Sequence, residues 1–119
     1  MDVLQLLFSF KGRVSRKTYW MFMLASAILI LLPVFTAHEV GSKEADDYTT
    51  IMSLALLWPA LAIQAKRWHD RNKSAAWLVI NFVPFIGWLW ALIENGFLAG
   101  SKGDNLYGID PLARESQET

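Results

Sequence analysis

Three long apolar stretches, separated by charged connections, dominate this 119-residue chain: residues 19–37, 49–65 and 75–98. Tyr19, at its edge, is the only ionisable side chain of the first, and the second carries no acid or base. A bilayer core about 30 Å thick takes roughly 20 helical residues to cross. Three segments of this length leave little chain for a soluble domain. The sequence therefore predicts an all-α fold: one integral membrane domain, a small bundle of three transmembrane helices at 19–37, 49–65 and 75–98.

Composition agrees with a membrane setting. The chain is 54% hydrophobic and 18% charged, against about 45–50% apolar and about 25% charged in soluble domains. Lysine plus arginine equals aspartate plus glutamate, eleven each, and this balance gives no reason to expect nucleic acid as a partner. The lack of cysteine excludes disulfides, thiolate metal sites and cysteine nucleophiles. Basic residues precede the first apolar run, as in a secretory signal, but that run exceeds the usual h-region of about 7–15 residues. Its exit, Pro33-Val34-Phe35-Thr36-Ala37, puts bulky Phe35 where cleavage wants a small side chain. An uncleaved anchor is expected.

The connections carry the charge. Residues 1–18 read as an interfacial, basic N-terminus. A short apolar helix within 2–10 suits the membrane surface, and Lys11, Arg13, Arg16 and Lys17 follow it. Ser15 stands where it can cap the first span, and Tyr19 and Trp20 stand where an aromatic belt is expected. The loop 38–48 is acidic, with Glu39, Glu44, Asp46 and Asp47 against Lys43. Residues 66–73 return to positive charge, and the polar tail 99–119 has Lys102 and Arg114 as its only cations.

Loops rich in lysine and arginine stay cytoplasmic. Three spans with the N-terminus inside place eight of the eleven cations there, which puts the C-terminus outside, in the periplasm. Pro84-Phe85-Ile86-Gly87, near the middle of the third stretch, opens an alternative: a re-entrant hairpin that returns the tail to the cytoplasm. Arms of about a dozen residues cannot each span, and irregular backbone at depth needs protein or water around it. A single crossing is the expectation.

Candidate functional residues are few. Inside the apolar stretches the polar positions of interest are Asn81 and Glu94. A lone asparagine in a bundle usually bonds across helices, and a proton relay needs a second buried titratable group. His69 and Asp70 are adjacent, so on a helix they point about 100° apart and do not converge on one metal. Zinc takes three or four ligands, and the other histidine, His38, is expected on the far side. No metal and no cofactor are expected, and with Ser74 merely nearby as a nucleophile, no enzyme. The preferred reading is a cationic collar of Arg13, Arg16, Lys66, Arg67, Arg71 and Lys73, with His69 and Asp70. It would contact anionic lipid headgroups, at about 1 kcal/mol per cation near the surface, or a partner. Gly96 and Gly100 form a GxxxG spacing, a weak signal for helix pairing.

Four blocks in order carry a family resemblance: Phe10-Lys-Gly12-Arg13-Val-Ser-Arg16-Lys17-Thr-Tyr19-Trp20, the run Lys66 to Trp77, Pro84-Phe85-Ile86-Gly87-Trp88, and the tail from Gly100 through Tyr107 to Pro111. The chain resembles the bacterial domain-of-unknown-function family 805 over about residues 8–112. Departures are Lys66 for arginine, Trp68 for leucine, Arg71-Asn72 in a linker that more often contains glycine, and Leu106 at a position that is commonly polar. The resemblance implies a small multi-pass protein of the bacterial inner membrane and no established activity. The expected role is a non-enzymatic scaffold or regulatory protein that associates with itself or with another membrane protein. The alternatives are a small oligomeric transporter or channel lined by Asn81, Pro33, Pro59 and Pro84, and a lipid-headgroup enzyme with His69 as general base.

Overall fold

The computed structural model describes residues 2–112. The last part of the expected tail, 113–119 with Arg114, lies outside the described residues.

Two helices are long and apolar enough to cross a membrane: α2, Arg16–Thr36, and α3, Lys43–Asp70. At 21 and 28 residues they measure about 32 and about 42 Å. They run antiparallel. Tyr48, early in α3, donates its hydroxyl to the Leu29 carbonyl late in α2 (2.5 Å), whereas Tyr19 and Gln64 line one cleft at the opposite end. Pro33 and Pro59 sit inside these helices without ending either. The Ser42 hydroxyl accepts from the Ala45 amide (3.2 Å) and starts α3.

The third apolar stretch forms no helix long enough to cross, so two candidate spans stand among the described residues where three were expected. Its first arm is a short 3-10 helix, Ala75–Phe82. The chain then reverses. Phe85 has φ +60°, and the Ile86 amide donates to the Pro84 carbonyl (2.7 Å), the three-residue bond of a tight γ-turn. The second arm is α4, Ile86–Leu92, continued by one π-helical turn, Ile93–Phe97. The arms lie side by side. Trp77 stacks on Trp90 (6.5 Å), and Lys73 before the first arm pairs with Glu94 in the second (2.6 Å). Gly87 is required at the crossing, because a Cβ there would lie 2.0 Å from the Ile80 carbonyl oxygen.

A hairpin satisfies its irregular backbone only where other protein covers it. Part of that cover comes from paired amides: Asn81 donates to Gln64 (2.5 Å) and Gln64 donates back (3.3 Å). The Trp88 indole closes the Asn81 carbonyl (2.8 Å). The tail consequently emerges at the end where residues 66–73 lie, and the Ser101 amide donates to the Asp70 carbonyl (2.6 Å). The tail and the basic segment 66–73, expected apart, are in contact here.

The N-terminal helix α1, Val3–Phe8, opens with a capping box between Asp2 and Gln5. It leans on α3: the Trp58 indole donates to the Phe8 carbonyl (3.0 Å), and Lys66 donates to the carbonyls of Gln5 and Leu6 (2.9 and 2.5 Å). Val3, Leu4 and Phe8 face outward. Buried apolar side chains gather where α1, α2, α3 and the hairpin meet, with Ala62, Ile63, Ala65 and Trp68 almost wholly enclosed.

Candidate functional site

The densest polar feature forms at the C-terminal end of α3. That helix ends in a Schellman motif: Lys73 N–H donates to the Trp68 carbonyl (2.8 Å) and Asn72 N–H to that of His69 (2.9 Å). Asn72 occupies the left-handed position, φ +59°, where asparagine is the usual substitute for glycine. The cap turns the chain sharply, so Arg67 and Asp70 point inward, one helical turn apart.

Asp70 is clamped from two sides. Arg13 reaches its Oδ1 through Nε (3.1 Å) and NH2 (2.9 Å), and Arg67 bonds its Oδ2 closely. Both guanidinium groups are fully enclosed. A buried ion pair lasts only when its remaining donors are also satisfied, and here the tail supplies the acceptors. Arg13 donates to the carbonyls of Ser101 (2.6 Å), Gly103 (2.7 Å) and Gly108 (3.2 Å). Arg67 donates to the Asn95 carbonyl (2.6 Å) and bonds that of Leu98. Gly100 passes so close that a Cβ would lie 1.9 Å from Asp70 Oδ2.

His69 and Lys66 are likewise internal. The His69 ring meets the Gly12 carbonyl through Nδ1 (2.9 Å) and lies flat on Tyr107 (4.1 Å, 4° between planes). Asn105 donates to the His69 carbonyl (2.9 Å) and to Tyr107 N–H presents its own side-chain oxygen (2.8 Å). Lys66 is fully buried, and its ammonium serves the exposed carbonyl end of α1, the end of a helix that favours a cation.

A second group adjoins this one. Glu94 takes bonds from Lys73 (2.6 Å) and the Trp90 indole (3.1 Å), with Arg71 Nε at 3.6 Å. Lys73 also lies over the ring of Trp77 (4.5 Å), and Trp68 stacks on Trp77 (5.5 Å).

The structure thus brings Arg13, Lys66, Arg67, His69 and Asp70 together, but as an interior rather than a lipid-facing collar. Arg71 and Lys73 are partly enclosed at its border. Arg16 is exposed and donates to the Phe97 carbonyl (2.9 Å). Asn81 lies apart, paired with Gln64 beside a cleft of about 310 Å³ between α2 and α3. The glycine spacing turns out to be used within the chain: Gly96 is pressed against the Trp20 ring and Gly100 against Asp70. Among the described residues no three histidine, aspartate or glutamate side chains gather as metal ligands. Sequence reasoning missed the tail as part of the cluster. Its role rests on backbone carbonyls, which any residue supplies, so the one sequence hint was its run of glycines and asparagine.

Residues 7–109 match the family described as "Protein of unknown function (DUF805)". The chain belongs to that family. It is 36% identical to the "Inner membrane protein YhaH" of Escherichia coli (strain K12) over 114 residues, 93% of each chain. It is 38% identical to the "Inner membrane protein YhaI" of the same strain over 111 residues, 93% of this chain and 92% of the relative. It is 31% identical to that strain's "Uncharacterized protein YiiR", 92% of this chain and 90% of the relative. No solved structure matches. The matched stretch contains every member of the Arg13–Arg67–Asp70 cluster and the tail that closes it.

Proposed function

We propose that this family member is a non-enzymatic scaffold or interaction protein of the bacterial inner membrane, with its clustered end in the cytoplasm. One observation carries the reading: the arginines that a substrate or headgroup would need are already bound to the chain's own carboxylate and carbonyls. A site built to turn over a ligand keeps such groups free for it. Of the ten lysines and arginines among the described residues, all but Lys43 belong to the segments that meet at the clustered end. The preference of cations for the cytoplasm then favours both the N-terminus and the tail inside. Headgroup contact passes to the exposed Lys11, Arg16, Lys17 and Lys102.

Native mass spectrometry from a lipid-preserving detergent tests this. The expected result is retained anionic lipid or a bound membrane protein, lost on joint replacement of Lys11, Arg16 and Lys17 by glutamine and unaffected by His69→Gln. Lipid turnover by the purified protein that disappears in His69→Gln would overturn the reading.

A further inference from the structure

The hairpin is long enough to reach at most half-way into a bilayer. Its first arm, eight residues of 3-10 helix, is about 16 Å long. The returning arm, seven residues of α4 and five of π turn, is about 18 Å long. Half of a bilayer core is about 15 Å. The tip is built for that depth: Phe82, Phe85 and Ile86 are 85, 78 and 73% exposed, and no charged residue lies between Ser74 and Ile93. Asn81, next to the tip, pairs with Gln64, two residues before Lys66 and six before Asp70 at the end of α3, which puts it between about 3 and about 9 Å above the charged residues of the cluster.

The two leaflets therefore hold different amounts of protein. A helix occupies roughly 100 Å² in cross-section. On the far side only α2 and α3 are present, about 200 Å². On the clustered side the two hairpin arms join them, giving about 400 Å², and α1 adds its exposed Val3, Leu4 and Phe8 on that side of the molecule.

We infer that the protein is a one-sided membrane wedge: its half-depth hairpin and α1 expand the leaflet next to the Arg13–Asp70 cluster, so it selects membrane in which that leaflet is convex or loosely packed. The partner is a lipid surface of defined curvature. Apolar insertion into one leaflet is sensitive to curvature in this way, because a convex leaflet already has the area that the wedge must otherwise open. The inference rests on the half-depth hairpin and is independent of the scaffold reading.

The chain's lack of cysteine gives a direct test. A dye on Asp104→Cys, in the exposed tail, reports both protein density and, by an impermeant quencher, which way each molecule faces. The full chain is reconstituted into single vesicles of phosphatidylethanolamine and phosphatidylglycerol. Molecules with the tail outward are expected to be about threefold denser in vesicles of about 50 nm than of about 400 nm, and those with the tail inward sparser. Trimming Phe82, Phe85 and Ile86 to alanine should weaken that preference without changing the unfolding midpoint. Equal density at all diameters in both orientations overturns the wedge. So does a Phe85→Cys thiol that reacts with an impermeant reagent from the side opposite the tail, since the third stretch would then cross.

Discussion

The two ends of the molecule are held together by different physics. At the clustered end, five segments are cross-linked by buried charge, capped helix ends and stacked aromatics: Arg13 joins Asp70 to the tail, Lys66 holds α1, and Arg67 holds the hairpin's exit. At the far end α2 and α3 have only each other. Ile28, Leu32, Phe35, Ile51 and Leu54 are exposed there. In water that face would be a liability; in a bilayer it costs nothing, since lipid tails are as apolar as leucine. A membrane protein can thus concentrate its specificity in one polar layer and leave the rest of each helix to hydrophobic matching.

That contrast can be broken most severely at Asp70. Asp70→Ala leaves two enclosed guanidinium groups without their carboxylate, and a buried pair broken on one side costs about 3–5 kcal/mol. Unfolding in graded denaturing detergent, followed by tryptophan emission, should show the loss, and cleavage of the tail by added protease should speed up. Gly100→Ala comes next. Its new methyl would collide with the Asp70 carboxylate, and overpacking of this kind costs about 1–3 kcal/mol. A wild-type midpoint for that variant would mean the tail does not pass over Asp70.

At Asn72 the effect is conformational. Asn72→Val should destabilise by about 1–2 kcal/mol because a β-branched residue resists the left-handed region, whereas Asn72→Gly should match or slightly exceed the wild type. The amide pair sharpens the comparison at mid-depth: Gln64→Leu and Asn81→Leu should each cost about 0.6 kcal/mol, with a double variant no worse than either. Smallest of all, Phe35→Leu on the far end should move the midpoint by less than about 0.5 kcal/mol.

Particular residues show how far the sequence could be read. Tyr19 and Trp20 read as an interfacial belt, yet Tyr19 is buried and the Trp20 indole donates to the Gly96 carbonyl (2.6 Å). Lys66 and Arg67 read as headgroup-facing, yet both are fully enclosed. Charge and aromaticity mark the polar layer of a membrane protein, but they do not say whether a side chain there points to lipid or to a neighbouring segment. Pro84-Phe85 did mark the break in the third stretch. Choosing between a kinked span and a hairpin needed the contacts between Lys73 and Glu94, and between Trp77 and Trp90, across its two arms.

By itself the sequence determined the solvent. The long runs free of acids and bases admit only hydrocarbon around them, and the positions of lysine and arginine mark the end where polar groups collect. The family, too, is legible in the order of its four motifs. Only the tertiary structure decided that the third stretch turns back and that the basic clusters become an interior. The reason is that a backbone carbonyl has no sequence identity. Ser101, Gly103, Asn95 and Leu98 satisfy buried arginines through atoms every residue carries, so their partnership exists only once the chain has folded back to place them there.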